Sequence, residues 1–283
     1  MIRCRCRLLL PPPIRPTGTA TIDTVERDGL IAAAERAADA AGAVIRPFFR
    51  AGMTADLKSD DSPVTVADRA AEQAMRAVLA EAYPGYGVIG EEFGRESAEA
   101  GLCWVLDPID GTRAFITGRP VFGTLVALLQ HGEPILGVID QPVTGERWIG
   151  ARGMPTRFRG TFGGRAGCRP CPDLAQAELS CTSTEVFEPG DMGAWERLRK
   201  SVRRTSFGGD CYAYGLLSLG QIDVIAEATM KIWDWAALVP VIEGAGGRMT
   251  DWRGNPLTSD SDGHTLAVGD PALLAKAVAI LAA

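Results

Sequence analysis

The residues best suited to chemistry are acidic side chains that directly follow short apolar runs. In Trp104-Val-Leu-Asp107-Pro-Ile-Asp110-Gly-Thr112, an apolar run leads into two carboxylates three residues apart. Pro108 lacks a backbone donor and Gly111 permits a tight turn, so both acids can point to one side where the strand ends. Carboxylates this close repel each other unless a cation lies between them, and hard oxygen ligands suit Mg²⁺. The alternative interpretation is a solvated Asp-Pro turn with an Asp-Gly corner.

Further carboxylates stand in similar positions. They are Asp68 in Val64-Thr-Val-Ala-Asp68, Glu91 and Glu92 after Ile89-Gly90, and Asp234 in Trp233-Asp-Trp235. Glu91 and Glu92 could instead belong to a solvated loop.

The sequence offers no candidate for a covalent phosphoryl intermediate. The segment around Asp107 is close in appearance to a phosphoaspartate motif, but it does not fit. That mechanism needs a nucleophile and an acid two residues apart, whereas Asp107 and Asp110 are three apart. The sequence also lacks Cys-x5-Arg, Gly-x4-Gly-Lys-Ser/Thr and Gly-x-Ser-x-Gly motifs. What remains is a water activated by metal, with ions binding the attacking and leaving oxygens of an in-line phosphoryl transfer.

The composition is that of an ordinary globular protein. Its 283 residues are 46% hydrophobic and 23% charged, which excludes disordered, collagen-like and fibrous classes. The net charge is −6, from 29 Lys and Arg against 35 Asp and Glu, so no overall basic field would attract nucleic acid or an anionic membrane. An anionic substrate must therefore meet local cations or a bound metal. The longest apolar run, Val121–Leu129, is far shorter than the roughly 20 residues of a transmembrane helix.

The N-terminus and the cysteines bear on the cellular compartment. The three leucines before Pro11 are too few for a secretory signal. Residues 1–22 are predicted to be a disordered extension, because Pro11–Pro13 favour polyproline geometry and no apolar period is present that could be buried. The seven cysteines are odd in number and spread along the chain. This distribution favours reduced thiols and a cytoplasmic protein.

Two amphipathic helices are the first elements that must position the carboxylates. Apolar residues recur at three- and four-residue spacing over residues 23–50 and 65–82. Strands are then predicted at 86–89, 103–106, 121–129, 135–139 and 146–151. Residues 23–152 are therefore expected to form an α+β domain in which helices pack on a sheet.

The second half alternates between strands and helices. Residues 152–176 are rich in Gly, Arg and Pro, which indicates a domain boundary or a long loop. Strands are predicted at 178–182, 204–207 and 222–227, and helices at 191–199, 211–220, 234–244 and 271–282. We therefore expect an α/β domain over residues 153–283, which would carry Asp234.

Together these motifs resemble the signatures of the inositol monophosphatase superfamily. The segments are Gly90-Glu-Glu92, Asp107-Pro-Ile-Asp-Gly-Thr112 and Trp233-Asp-Trp-Ala-Ala-Leu238, the last followed by Glu243-Gly-Ala-Gly-Gly247. Each is weak alone, but their order and spacing are specific, and the resemblance covers about residues 24–283. It implies a layered αβαβα sandwich of mixed α+β and α/β character, Mg²⁺-dependent hydrolysis of a small phosphomonoester, and a homodimer.

The resemblance also implies roles for individual residues. Those that would hold two Mg²⁺ ions are Glu91, Asp107, Asp110, Asp234 and, through its backbone carbonyl, Ile109. Asp107 would bridge the two ions, and a third could bind loosely at Glu91. Thr112, hydrogen-bonded to Asp68, would orient and help to deprotonate the attacking water. The backbone amides of Gly111 and Thr112 would face the phosphate.

The substrate wall resembles the histidinol-phosphatase branch of this superfamily. Thr112 is followed by Arg113-Ala114, where the inositol enzymes usually continue with Asn-Phe. Asp210 falls where those enzymes carry a small uncharged residue, and Glu227 where the family places a substrate-facing carboxylate. Histidinol phosphate carries an ammonium group and an imidazole, with which an added carboxylate could pair. The resemblance therefore implies hydrolysis of L-histidinol phosphate, a step of histidine biosynthesis.

Several alternatives stay open. The substrate could be inositol 1-phosphate or a range of sugar phosphates, and the chain could be a non-catalytic metal- or ligand-binding homologue. Asp210 could cap a helix over residues 211–220. Lys58 could lie near a mobile metal-site loop, and Arg203 and Arg204 could reach a substrate or a dimer partner, or all three could be surface charges. Cys168-Arg-Pro-Cys171 has the spacing of half a zinc site, but no second pair completes it.

Overall fold

The computed structural model describes residues 24–51, 56–57, 63–64, 66–96 and 101–283. The predicted extension, residues 1–22, lies outside the described residues, and so does Lys58. The α-helices are α1 (Thr24–Ile45), α2 (Val66–Ala82), α3 (Thr112–Ile116), α4 (Met192–Ser201), α5 (Asp210–Ser218), α6 (Ile232–Trp235), α7 (Leu238–Gly244) and α8 (Leu274–Ala282). Short 3-10 helices span Arg46–Phe48, Leu174–Gln176, Thr184–Val186 and Pro271–Leu273.

The strands of the described residues fall into three sheets. They are β1 (Asp56–Leu57), β2 (Pro63–Val64), β3 (Gly87–Gly90), β4 (Gly94–Glu96), β5 (Leu102–Asp110), β6 (Gly123–Gln130), β7 (Glu133–Gln141), β8 (Glu146–Ala151), β9 (Arg157–Arg159), β10 (Glu178–Cys181), β11 (Arg204–Phe207), β12 (Val224–Glu227), β13 (Arg248–Thr250) and β14 (Thr265–Val268). β1 and β2 pair with each other. The larger sheets are ordered β4-β3-β5-β6-β7-β8-β9 and β11-β10-β12-β14-β13.

These elements form the layered αβαβα sandwich that the resemblance implied. α1 and α2 pack on each other and on one face of the seven-stranded sheet. α5 and α7 lie between that sheet and the five-stranded sheet. α4 and α8 pack together on the outer side of the five-stranded sheet. None of the helices in the described part of the chain is long and apolar enough to cross a bilayer.

Alternating side chains along the strands build the buried layers. In β5, Trp104 belongs to the core under α1 and α2, whereas Val105 belongs to the core shared with α5 and α7. In β14, Leu266 packs on the side of α4 and α8, whereas Ala267 faces the inner helices. Because helices cover these faces, the central strands are nearly continuous apolar runs in the sequence.

The predicted elements are present with shifted ends, and one predicted helix is divided. The helix expected over 234–244 is two helices, α6 and α7, that meet at Ala236 and Ala237. Pro240 has no N–H to donate to the Ala236 carbonyl, so the first helix cannot continue through it. Pro240 lies instead in the first turn of α7, where backbone N–H groups have no partner within the helix and a missing donor costs nothing. The first predicted helix ends at Ile45 and continues only as a 3-10 turn.

The prediction that residues 152–176 are irregular is wrong in part. It contains β9, which closes the edge of the seven-stranded sheet, and the start of the 3-10 helix Leu174–Gln176. Strands β4, β13 and β14 and helix α3 were not predicted, because runs of three to five residues carry too little periodicity. The domain boundary between residues 152 and 153 stays a prediction.

Gly137 marks a close approach between β7 and the start of α7. An added β-carbon there would overlap the backbone of Ala237. Gly137→Ala should therefore lower the free energy of unfolding by about 3 kcal/mol, because neither backbone can move aside cheaply. Urea denaturation measures this loss. Gly85→Ala is the matched control, since a β-carbon there meets nothing within 4 Å; equal losses in both variants would contradict the packing argument.

Candidate active site

Three of the predicted metal ligands converge where β5 ends. Asp107 and Asp110 on β5 and Asp234 on α6 each place one carboxylate oxygen within 4.8 Å of the others. The register of β5 against β6 shifts between the two β5 acids. Pro108 cannot donate to the ladder, and its carbonyl instead accepts from Thr124 Oγ1 at 2.8 Å. This irregularity brings together two side chains that a regular strand would point to opposite faces.

Backbone donors hold two of these carboxylates in place. Asp110 Oδ2 accepts a hydrogen bond from the Cys211 N–H, in the first turn of α5, at 2.7 Å. Asp234 Oδ2 accepts from the Lys231 N–H at 2.6 Å, which closes the first turn of α6. Both acids are therefore oriented by the protein itself.

The electrostatics of the cluster fit a hard divalent cation. Asp107 is 1% exposed, and its Oδ1 is buried without a hydrogen-bond partner among the described residues. Burial, and then the charges of Glu91, Asp110, Asp234 and Asp68, raise the pKa of Asp107 well above its usual value. Such crowding is costly unless positive charge offsets it, and carboxylate oxygens suit Mg²⁺. These residues therefore fit the predicted ion.

Glu91 and Asp68 approach the cluster from two other elements. Glu91 follows β3, and its N–H donates to the Leu106 carbonyl of β5 at 3.2 Å. Asp68 lies in the first turn of α2 and is 1% exposed. Both charges act on Asp107. The structure thus brings the five predicted acids together, although the metal role of Glu91 stays a prediction.

Thr112 follows Asp107 and Asp110 in the sequence and begins α3. Its Oγ1 donates to the Ile109 carbonyl at 3.2 Å. Ile109 is the residue whose carbonyl was expected to bind metal, so the hydroxyl lies beside that oxygen. The hydrogen bond expected between Thr112 and Asp68 and the metal role of Ile109 stay predictions.

Asp210 faces Gly111 of the Asp107–Thr112 segment and does not cap α5. The helix begins at Asp210, Gly209 occupies its N-cap position, and Asp210 Oδ2 is buried without a hydrogen-bond partner among the described residues. The helix-cap interpretation of Asp210 is therefore wrong. Gly111 has φ +83°, and an added β-carbon would lie 2.9 Å from Asp210 Cβ, so the two residues are packed together. Burial raises the pKa of Asp210 to about 6, against the opposing charges of Arg119 and Arg113.

A cavity of about 190 Å³ joins the acidic cluster to the predicted substrate wall. Its polar lining includes Asp110, Asp234, Asp210, Glu227, Thr182 and Tyr214. Glu227 accepts hydrogen bonds from the backbone N–H and the Oγ1 of Thr182, at 3.0 and 2.8 Å. Burial raises the pKa of Glu227 to about 7, although these two bonds oppose the shift.

Thr182, which orients Glu227, is a site residue that was not predicted from the sequence. A signal was available, because Thr182 ends a predicted strand and ligands gather at the carboxyl ends of parallel strands. β10 and β12 do run parallel, so their ends, which carry Thr182 and Glu227, meet at one edge of the sheet.

The remaining predicted polar sites lie elsewhere. Arg203 and Arg204 line a separate surface cleft, and Arg204 pairs with Glu178 at 2.6 Å. Cys168 and Cys171 are free thiols. Within the described ranges, the only acid, His or Cys cluster with ligand spacing is that of Asp107, Asp110 and Asp234, so nothing completes a zinc site at the two thiols.

Comparisons with known proteins agree with this geometry. The model of the inositol monophosphatase family matches residues 26–282. A bifunctional phosphatase, IMPL2, of Arabidopsis thaliana, described as chloroplastic, is 45% identical over 90% of this chain and 74% of its own length. A histidinol-phosphatase of Mycobacterium tuberculosis is 40% identical over 77% of this chain and 85% of its own. A solved inositol monophosphatase from Zymomonas mobilis is 48% identical with a TM-score of 0.83, covering 93% of this chain and all of that one.

Proposed function

This chain belongs to the inositol monophosphatase family of phosphatases, and we propose that it is a Mg²⁺-dependent phosphomonoesterase that hydrolyses L-histidinol phosphate to L-histidinol and phosphate. That reaction would place it in histidine biosynthesis. The observation that carries the proposal is the acidic wall. Asp210 and Glu227 line the same cavity as Asp110 and Asp234.

The two ends of that cavity suit the two ends of the substrate. The phosphate would lie at the metal ligands, and the ammonium and imidazole groups would lie against Asp210 and Glu227. Charge-assisted hydrogen bonds from a cationic group are stronger than those from a neutral hydroxyl. The same wall would repel a ligand with a second phosphate.

The protein's own residues would orient water and phosphate. Bound Mg²⁺, held by Glu91, Asp107, Asp110, Asp234 and the Ile109 carbonyl, would supply Lewis-acid activation of water and neutralise phosphate charge. The proton of Thr112 Oγ1 is directed at the Ile109 carbonyl, so a water beside it would donate to the Oγ1 lone pairs. The amides of Gly111 and Thr112 would donate to phosphate oxygens.

Proton transfer would run from this water toward Asp68. The buried Asp68 carboxylate can take the proton through Thr112 once the hydroxyl turns from Ile109 toward it. The attacking oxygen then bonds to phosphorus as the ester P–O bond breaks. The leaving alcohol oxygen takes up a proton from solvent, and Asp68 releases the proton it took to solvent, so the hydrolysis balances.

A homodimer and a cytoplasmic location complete the proposal. The dimer rests on the family resemblance, and sedimentation velocity would test it. The five cysteines in the described ranges are free, which supports a reducing compartment.

The second candidate substrate is inositol 1-phosphate, alone or among several sugar phosphates. The solved relative from Zymomonas mobilis, described as an inositol monophosphatase, favours it. A non-catalytic homologue is less well supported, because all the acids of the predicted metal site and Thr112 are present.

Phosphate release by the purified protein tests the proposal. With Mg²⁺, kcat/KM for L-histidinol phosphate should exceed that for inositol 1-phosphate by about 100-fold or more. The reason is that inositol 1-phosphate would leave the buried Asp210 carboxylate without a cationic partner. EDTA should abolish both activities. Preference for inositol 1-phosphate would refute the substrate assignment and leave the metal chemistry standing, and activity that survives EDTA would refute the metal chemistry.

A further inference from the structure

A second layer of buried polar groups lies behind the metal cluster. Glu72 on α2, one helical turn after Asp68, is 0% exposed. Its Oε2 accepts from the Glu92 N–H at 2.7 Å, and its Oε1 accepts from the Phe93 N–H at 3.3 Å and from Arg76 Nε at 2.8 Å. A buried carboxylate with three donors is both neutralised and held in one orientation.

Arg76 extends this contact to the next strand. Its Nη2 donates to the Gly94 carbonyl at 2.6 Å, and its Nη1 pairs with Glu96 at 3.1 Å. The carboxylate of Glu72 also occupies the place that a β-carbon on Gly90 would need, so a larger residue at the end of β3 would push Glu72 away from its donors. The Glu72–Arg76 pair therefore forms hydrogen bonds with both the start and the end of the turn between β3 and β4.

We propose that Glu72 is a positioning residue for the metal ligand Glu91. The inference rests on the metal role proposed for Glu91 above. Three successive backbone N–H groups of this turn donate hydrogen bonds. That of Glu91 donates to the Leu106 carbonyl, and those of Glu92 and Phe93 donate to the Glu72 carboxylate. The backbone that carries Glu91 is thus fixed on both sides of that residue, which sets the direction of its carboxylate toward Asp107.

A purely structural role would not need this arrangement. A buried ion pair can often be replaced by apolar side chains of similar volume without loss of stability. Glu72 instead directs its oxygens to the backbone next to one ligand of a metal site. Partners that orient metal ligands typically contribute 10- to 100-fold to metal affinity.

The test measures Mn²⁺ binding to the full chain by electron paramagnetic resonance, with no substrate present. Mn²⁺ is the probe because it accepts the same oxygen ligands as Mg²⁺. Glu72→Gln retains the shape but points an amide N–H₂ at backbone or Arg76 donors. We expect Mn²⁺ affinity to fall about 10-fold in this variant.

A double-mutant cycle separates positioning from general damage. If Glu72 acts through Glu91, the change Glu72→Gln should alter affinity by less than about 2-fold in a Glu91→Gln background. Glu81→Gln, the same change on an exposed face of α2, is the matched control and should leave affinity unchanged. Equal losses from Glu72→Gln in both backgrounds, or no loss in either, would overturn the proposal.

A milder variant covers the case in which Glu72→Gln does not fold. Arg76→Lys keeps the charge but lacks the fork that holds Glu72 and the Gly94 carbonyl together. It should weaken Mn²⁺ binding about 3-fold, again only when Glu91 is present, and unchanged affinity would overturn the proposal. If the wild-type chain binds no Mn²⁺, the metal role proposed for Glu91 is refuted. That outcome is independent of which phosphate ester the protein prefers.

Discussion

Asp107→Asn should reduce Mg²⁺-dependent phosphate release by about 1000-fold or more. Asp107 is the central acid of the cluster, since Glu91, Asp110, Asp234 and Asp68 all act on its charge. Losing a single preorganised charge-stabilising group costs about 100- to 1000-fold, and loss of the ligand that we propose two ions share should cost at least as much. Initial-rate assays over a range of Mg²⁺ concentrations measure the loss.

Thermal unfolding gives an independent readout of the same variant. Mg²⁺ should raise the melting temperature of the wild-type protein, because it binds the folded state, and should do so much less in the variant. Without Mg²⁺, Asp107→Asn should be as stable as the wild type or more so, since it removes a buried charge from like neighbours. Asp28→Asn, on the exposed surface of α1, is the control. Near-normal activity in the Asp107 variant would rule out the bridging role.

Asp210→Ala should lower kcat/KM for L-histidinol phosphate by about 100-fold, with a change of less than about 3-fold for a generic aryl phosphate. Removing a buried partner of a cationic group costs about 2–5 kcal/mol, which sets this scale. The aryl phosphate has no cationic group, so it engages only the metal end of the cavity. Parallel assays of the two substrates at saturating Mg²⁺ measure the difference.

Two further variants separate charge from shape at this position. Asp210→Asn keeps the contact with Gly111 but removes the negative charge, so it should behave like Asp210→Ala toward histidinol phosphate. Asp260→Ala, in an exposed loop, should leave both substrates unaffected. Equal losses on the two phosphates in the Asp210 variants would place Asp210 in the metal chemistry and remove its role in specificity.

The carboxylate motifs could be read from the sequence because each depends on neighbouring residues. The strand that leads into Asp107, the proline at 108 and the glycine at 111 are local features, and together they predicted acids grouped at a strand end. The amphipathic period of α1 and α2 and the apolar runs of the central strands also predicted a helical layer on a sheet. The layered fold and the family followed from the resemblance these motifs carry.

Tertiary structure decided how distant segments meet. Whether Asp210 caps its own helix or faces a cavity depends on Gly111, which lies about a hundred residues earlier in the sequence and packs against it. The contacts of Glu72 with the backbone after Glu91 likewise join α2 to the β3–β4 turn. The sequence by itself determined which residues can bind a cation, because that follows from residue type and short spacing. Only the fold decided which of them share one cavity, because contacts between distant segments depend on how whole layers pack.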